Sequence, residues 1–303
     1  MRSSPGTERR TARAQVWLGT LVEIALPARE ATDARFAAAF AAVAHVHRKM
    51  SAHDSASDLA RICRGAHLAP VTVDGHTYAV LEIARTLHEA TDGAFDVAIA
   101  PVLARAGLLP ARAAPHARGA GMDAIRLLPG RRVQAAAPLA LDLGGIAKGY
   151  GVDLAVAALQ ATGVRSGVVN AGGDLRAFGA NDWLPVNVRH PVDPTRIVPL
   201  LELCDAAVAT SADYFGDARG CLVDPRDGRL RQFTGSVTVV APTCALADTL
   251  TKAVALAPAK SHALLARYGA HAFRLDSRDG RLVAATTCPT ATAHVRLLPE
   301  KAA

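Results

Sequence analysis

The sequence predicts an α+β fold. The chain has 303 residues, half of them hydrophobic and a fifth charged, which is enough for a sizeable core. Segments with strand-like alternation and segments with helical spacing are mixed along the chain. They do not follow the strict strand–helix alternation of doubly wound sheets, so α+β is preferred to α/β. We expect residues 1–14 to be disordered and residues 15–303 to form the domain.

The first half of the chain is predicted to begin with a strand and two long helices. Val16–Leu26 alternates between apolar and polar residues, as a strand does. Helical spacing predicts helices over Glu30–Met50 and Thr77–Thr91, and Asp92–Gly93 ends the second. The other segments are a loop and short helix over Ser51–Arg64, a loop and apolar segment over Ala94–Leu103, a loop over Leu109–Gly121, and a hairpin formed by Ile125–Leu128 and Arg132–Gln134.

The second half is predicted to contain more strands than helices. A helix follows Gly144–Gly145, and two others cover Ala245–Leu256 and residues 260–268. The predicted strands are Ser166–Asn170, Leu184–Val188, Gly235–Val240, His271–Leu275 and Leu282–Ala285.

Composition and charge limit the function classes. The net charge is +7, but the basic residues are dispersed and only 4% of residues are aromatic, which disfavours nucleic-acid binding and suits an anionic small ligand. The five cysteines form no C-x-x-C pair, which disfavours a disulfide framework or structural zinc. No signal-peptide core, lipid-attachment motif or membrane-length apolar run is visible, so we expect a cytoplasmic protein without a membrane anchor.

The segment Leu141–Asp153 (LDLGGIAKGYGVD) carries the strongest local signal. Asp142 closes an apolar run, Gly144 and Gly145 follow, and Lys148 lies in the first turn of the next helix. Glycines before a helix let a phosphate approach bare N–H groups at the positive end of the helix dipole. The pattern therefore indicates a nucleotide-phosphate site; the alternative is an ordinary strand-to-helix turn. It fits neither the P-loop nor the Rossmann fingerprint.

Two further groups of residues allow a functional and a structural interpretation. The Gly pair in Asn170–Asp174 (NAGGD) could line a ligand crevice or form a tight turn. Asp248, Thr251 and Lys252 lie on one helix face, where the carboxylate and hydroxyl could bind Mg²⁺. The alternative there is a surface ion pair.

Taken together in chain order, these segments resemble the ApbE family of flavin transferases. The resemblance runs from Leu18 to about Leu256. Its segments are Leu18–Gly19–Thr20, Met50–Ser51 with Ser57 and Leu59, Thr91–Asp96 with Pro101, Leu141–Asp153, Asn170–Asp174, Ala209–Tyr214, Leu222–Pro225 and Ser236–Asp248.

The resemblance implies one FAD held between two lobes of mixed sheets and packed helices, with Mg²⁺ beside its pyrophosphate. It implies transfer of FMN from FAD to a Thr or Ser hydroxyl of an acceptor flavoprotein, with release of AMP. The implied FAD-binding residues are Leu18, His53, Ala94, Phe95, Asp96, Asp142, Lys148 and Val223. The implied metal-side residues are Gly145, Asp248, Thr251 and Lys252, and the implied catalytic residues are Lys148 and Cys221. Such a reaction needs mainly alignment and charge neutralisation.

The chain departs from the family pattern at four of these positions. Leu18 replaces a usual Met, His53 an aromatic residue, Cys221 a common His, and Lys252 a metal-side Thr. The Lys252 ammonium could replace part of the metal's charge or compete with the metal, and Thr251 could supply the hydroxyl. Three functions follow: Mg²⁺-dependent FMN transfer, hydrolysis of FAD to FMN and AMP, and FAD binding without catalysis.

Overall fold

The structure is a computed structural model that describes residues 9–110, 120–179, 183–190, 193, 195–212, 222–231, 235–278, 281–286 and 294–297. Its strands are β1 Arg10–Trp17, β2 Thr20–Pro27, β3 Val71–Thr72, β4 Ile125–Leu128, β5 Arg132–Ala135, β6 Gly167–Ala171, β7 Asp174–Phe178, β8 Leu184–Arg189, β9 Ile197–Leu203, β10 Ala207–Ala212, β11 Leu222–Asp224, β12 Arg229–Arg231, β13 Gly235–Ala241, β14 His271–Arg278, β15 Arg281–Thr286 and β16 Val295–Leu297. Its α-helices are α1 Asp33–Met50, α2 Asp58–Gly65, α3 Gly75–Ala90, α4 Ala100–Arg105, α5 Ala147–Ala161, α6 Cys244–Leu256 and α7 Ser261–Arg267. The mixed elements confirm the α+β prediction.

An eight-stranded antiparallel sheet forms the centre of the fold. Its strand order is β1-β2-β6-β7-β10-β13-β14-β15. Helices α1, α5 and α6 pack together, and α5 and α6 also contact sheet strands. The three-stranded sheet β16-β9-β8 covers the other face. Neighbouring residues show the alternation: Val169 belongs to the helix-side core and Val168 to the core beneath the small sheet.

Strand β13 is covered on both faces. All seven of its residues are buried, including Ser236 and Thr238. Its neighbours β10 and β14 pair with both of its edges. The strand leads through the N-cap residue Thr243 directly into α6, so the start of α6 is anchored to the most enclosed strand.

Two sequence predictions near the N-terminus are wrong. Arg10–Ala14 were expected to be disordered but belong to β1, and Val16–Leu26 was expected to be one strand but contains a reversal. The chain turns at Leu18 and Gly19, whose φ angles are +54° and +75°. Two positive φ values in a two-residue loop are typical of a type I′ hairpin turn. Leu18 is not the Asn or Asp that usually marks such a turn. The alternation of apolar and polar residues therefore predicted a single strand across it. Residues 1–8 lie outside the described residues.

The remaining predictions of elements agree closely with the structure. The predicted hairpin is β4–β5, the helix after the Gly pair is α5, and Ala245–Leu256 is α6. The apolar segment predicted over Ala94–Leu103 ends in the short helix α4. Most of the predicted loop Leu109–Gly121 lies outside the described residues. Across the described ranges, no helix is long and apolar enough to cross a membrane.

Candidate functional site

The positive end of the α5 dipole lies beside the Gly pair. Gly144 is exposed, and the chain tightens there because the Leu143 carbonyl accepts from the Ile146 and Ala147 N–H groups at 3.0 and 2.8 Å. Within the described ranges, no side chain caps this helix. By contrast, α1, α2, α3 and α6 are capped by the side chains of Thr32, Ser57, Asp74 and Thr243. An uncapped N-terminus is suited to an anionic group.

Lys148, one residue into α5, is held by two carboxylates. Its Nζ atom lies 2.8 Å from Asp174 Oδ2 and 3.2 Å from Asp248 Oδ2, and it donates to the Gly144 carbonyl at 3.2 Å. Burial alone would lower the pKa of Lys148, but the charges of Asp248 and Asp174 raise it above its ordinary value. The side chain keeps 27% exposure. Lys148 is therefore a fixed cation that still reaches the surface of the site.

Asp174 is a site residue that the sequence did not single out as one. It is 3% exposed and begins β7, directly after the Gly172–Gly173 turn. Both glycines have positive φ, so the structural interpretation of the Gly pair as a tight turn is confirmed. Burial and the nearby charge of Asp248 raise the pKa of Asp174 to about 6, although Lys148 opposes this. The signal for Asp174 was its place after the Gly pair at a strand end.

The Asp248 carboxylate pairs with both Lys148 and Lys252. It is fully buried in α6, where Lys252 Nζ contacts Oδ1 and donates to the Asp248 carbonyl at 2.9 Å, while Lys148 approaches Oδ2. Burial would raise the pKa of Asp248, but Lys148 and Lys252 lower it below its ordinary value. This ion pair is buried, so the interpretation as a surface pair is wrong.

Thr251 is occupied by neighbours. Its hydroxyl donates to the Asp248 carbonyl at 2.7 Å and lies 2.7 Å from Ser211 Oγ of β10. The residue is fully buried. Its hydroxyl is therefore part of the contact between α6 and the sheet.

Close packing of α5 on α6 brings Lys148 to Asp248. A Cβ atom at Gly149 would lie 2.3 Å from the Cys244 carbonyl oxygen, so the two helices touch backbone to backbone there. Asp153 adds a second link, since its carboxylate accepts from the Cys244 and Ala245 N–H groups at 3.0 and 2.9 Å. The α5 sequence thus uses a glycine and an aspartate to fix the helix pair.

Several of the predicted FAD-side residues lie around this cluster. A Cβ atom at Gly145 would lie 3.5 Å from both the Phe95 ring and Lys252 Cε, so these three residues meet. Burial raises the pKa of Asp142 above its ordinary value. The hydrogen bond from the Gly144 N–H is the largest effect against this rise, followed by the charges of Lys148, His53 and Lys252. His53 is exposed, and its charge acts on Asp142. The structure therefore brings these predicted residues together.

Leu18 lies against the same helix. Its Cδ1 atom would lie 2.9 Å from a Cβ atom at Gly151 of α5. The β1–β2 turn that carries Leu18 thus packs on α5 at Gly151, less than one helical turn after Lys148. Gly151 leaves the space that Leu18 fills.

The predicted segment Ala94–Asp96 is buried, and Asp96 has structural partners. Its Oδ1 accepts from the Ala98 N–H at 2.7 Å, its Oδ2 accepts from the Met122 N–H at 3.0 Å, and His88 Nδ1 lies 3.4 Å from Oδ2. Asp96 therefore joins the loop before α4 to the segment around Met122. Phe95 is the member of this segment that reaches Gly145.

Of the two predicted site residues Val223 and Cys221, only Val223 lies within the described residues. Val223 is buried in β11, and the adjacent Asp224 pairs with Arg226, which donates to the Leu256 carbonyl at the end of α6 at 2.9 Å. Cys221 lies outside the described residues, so its catalytic role stays a prediction.

A surface cavity of about 390 Å³ is lined by Ala42, His45, Asp74, His76, Leu154, Ala157 and Ala158, none of which was a predicted site residue.

Comparison with known proteins decides the family. The sequence profile of the ApbE family matches residues 18–273. The chain belongs to the ApbE family. A FAD:protein FMN transferase of Vibrio cholerae serotype O1 is 31% identical over 226 residues, covering 68% of each chain. A Treponema pallidum protein of the same name is 29% identical over 300 residues, covering 86% of this chain and 82% of that one.

Solved structures of ApbE proteins share the fold. Pseudomonas stutzeri flavinyl transferase ApbE in its apo form matches with a TM-score of 0.77 at 25% identity, covering 92% of this chain and 94% of that one. The flavin transferase ApbE of Vibrio cholerae matches with a TM-score of 0.78 at 24% identity, covering 92% and 97%. The resemblance drawn from the sequence is confirmed, and the chain is a flavin transferase by family.

The expected Mg²⁺ does not fit the residues of this ApbE chain. Both oxygens of Asp248 face ammonium groups, and the Thr251 hydroxyl is already engaged. No group of three or more His, Cys, Asp or Glu side chains in the described ranges could hold a metal ion. Mg²⁺ prefers several hard oxygen ligands and water, not neighbouring cations.

Proposed function

We propose that this protein transfers FMN from FAD to a Thr or Ser hydroxyl of an acceptor flavoprotein and releases AMP. The cluster of Lys148 and Lys252 around Asp248, beside the uncapped start of α5, is the observation that carries the proposal. Together with family membership, it supports a site for a dianionic pyrophosphate. The names of the curated relatives support a protein acceptor.

The chain's own residues supply charge neutralisation and position. Lys148 is fixed by Asp174 and Asp248 and keeps part of its side chain exposed, so it can meet a phosphate without a search through rotamers. The positive end of the α5 dipole, which carries no side-chain cap, favours negative charge that develops on the phosphoryl oxygens. Phe95 beside Gly145 offers an apolar wall for a ring system.

The proposed step forms one bond and breaks one. The acceptor hydroxyl oxygen attacks the phosphorus of the FMN half, and the bond from that phosphorus to the bridging oxygen breaks. The bridging oxygen leaves with AMP, and the hydroxyl proton passes to solvent. Cys221, an implied catalytic residue, stands where the family commonly has His, and a thiol is a weak base at neutral pH.

The test is an incubation of the full chain with FAD and a purified acceptor domain. We expect flavin fluorescence to stay with the denatured acceptor, its mass to rise by one FMN less one water, and AMP to appear in equal amount. An acceptor whose target hydroxyl is replaced by Ala controls for non-covalent flavin.

Two other outcomes would contradict the proposal. Free FMN and AMP without labelled acceptor would show hydrolysis, with water as the nucleophile. Bound FAD that remains intact would show binding without catalysis.

A further inference from the structure

The ammonium of Lys252 lies where a cation would bind Asp248. It contacts Asp248 Oδ1 and donates to the carbonyl of the same residue at 2.9 Å. The side chain reaches this place across the glycine turn, because its Cε atom would lie 3.5 Å from a Cβ atom at Gly145. Lys252 is 19% exposed, so the ammonium is largely enclosed by the protein.

The oxygen atoms of Asp248 and Thr251 near Lys252 are engaged. Lys148 takes the second oxygen of the Asp248 carboxylate, at 3.2 Å. The Asp248 carbonyl accepts from both Lys252 and Thr251, and the Thr251 hydroxyl is also 2.7 Å from Ser211. A divalent ion at this point would have to displace an ammonium from a fully buried carboxylate and would then face a second ammonium.

We infer that Lys252 is the resident cation of this site, so that the protein binds FAD and transfers FMN without a divalent metal ion. That Lys252 occupies the cation position rests on the contacts described above, and that FMN is transferred without a metal rests on the proposed function. Lys252 and Lys148 together place two ammonium groups beside the start of α5, where they offset the buried carboxylates of Asp174 and Asp248. A tethered ammonium does not dissociate, so its occupancy does not depend on the metal concentration.

The first experiment measures metal binding without any reaction. Metal-free full-length protein is titrated with Mn²⁺, and free Mn²⁺ is followed by electron paramagnetic resonance. We expect no stoichiometric binding by the parent protein and one bound ion in Lys252→Thr, where a hydroxyl replaces the ammonium. Lys260→Thr is the matched control, because Lys260 is 72% exposed and pairs with Asp92, which is also exposed. This variant should behave as the parent.

The second experiment measures FAD affinity and FMN transfer in EDTA and in Mg²⁺. The parent protein and Lys260→Thr should give equal Kd values and equal rates in both. Lys252→Thr should lose about tenfold or more in FAD affinity in EDTA, the size of a lost charge-assisted contact, and should regain affinity with Mg²⁺. Lys252→Met, which keeps the length of the stem, should lose affinity in EDTA and stay insensitive to Mg²⁺.

The results separate this inference from the proposed function. Stoichiometric Mn²⁺ binding by the parent that disappears in Asp248→Asn, or transfer by the parent that stops in EDTA, would overturn the inference. Absence of labelled acceptor under all conditions would overturn the proposed function, and the Mn²⁺ titration would still decide the role of Lys252. Should Lys252→Thr fail to fold, the titrations of the parent and of Lys252→Met give the same decision.

Discussion

At the residue scale, Lys148 has two tasks that one substitution can separate. Its ammonium neutralises the buried carboxylates of Asp174 and Asp248, which lie 2.8 and 3.2 Å away, and it is a candidate contact for FAD. In Lys148→Ala, we expect the free energy of unfolding to fall by about 3 kcal/mol, because Asp174 and Asp248 lose their shared cation. We expect FAD binding to weaken by roughly 1–3 kcal/mol.

Urea denaturation and flavin titration measure the two effects. Lys260→Ala, on an exposed pair, serves as the control. Unchanged flavin affinity in a folded Lys148→Ala protein would remove this residue from the FAD site.

Asp174 gives a prediction for pH. Its pKa is raised from 3.8 to about 6, so between these values the folded state binds more protons than the unfolded state. The free energy of unfolding due to this group therefore falls as pH rises through that range. Relative to Asp174→Asn, the parent protein should lose up to about 3 kcal/mol between pH 4 and pH 7. Denaturation curves of both proteins at the two pH values test this, and a constant difference would contradict the raised pKa.

At the element scale, the contact between α5 and α6 depends on one glycine. Replacement of a helical glycine by alanine ordinarily stabilises a helix by about 1 kcal/mol. At Gly149 the added Cβ would lie 2.3 Å from the Cys244 carbonyl oxygen, so the helices must separate. We expect Gly149→Ala to lower the free energy of unfolding by about 1–3 kcal/mol and to weaken FAD binding.

Gly151→Ala is the matched comparison on the same helix. Its Cβ would lie 2.9 Å from the end of the flexible Leu18 side chain and at an ordinary van der Waals distance of 3.9 Å from Val46. We therefore expect a smaller loss of stability in thermal melts. Equal losses for the two variants would argue against the backbone contact at Gly149.

Elements with a clear period were predictable from the sequence, and their partners were not. The spacing of apolar residues gave α5, α6 and the β4–β5 hairpin, and the Gly pair with Lys148 marked the site. The Leu18–Gly19 turn was missed because its first residue carries no turn signal. The link from Lys148 to Asp174 joins residues that are adjacent only through sheet and helix packing, and no local pattern encodes it.

The burial of Asp248 has the same explanation. Its spacing from Thr251 and Lys252 correctly placed the three residues within one helix. Whether that part of the helix faces solvent or the core depends on α5 and the sheet, which lie far away in the chain. The sequence therefore singled out Lys148, Asp248 and Lys252, but it gave neither Asp174 nor the pairing among these four residues.

At the scale of the whole molecule, β1 is the outermost strand at one edge of the large sheet and covers the hydrogen-bonding edge of β2. This strand pairs along its full length with β2, while most of its side chains are exposed. A chain that begins at Leu18 should keep the helix-side core, since Val22, Ile24 and Leu26 of β2 stay packed under the helices. It should, however, expose the β2 edge and self-associate. Gel filtration at several concentrations tests this, and a monomer at all of them would contradict it.

The enclosure of β13 has a consequence for exchange of amide protons with deuterated solvent. A strand with both faces covered and both edges paired has no partial opening that exposes its amides, so they should exchange only when the whole domain unfolds. The outer strands β1 and β15 should exchange much sooner. Since β13 runs directly into α6, the helix that carries Asp248 and Lys252 is joined to the slowest-exchanging part of the protein. The ammonium of Lys252 is thus carried by a helix that is joined to the part of the chain that opens last.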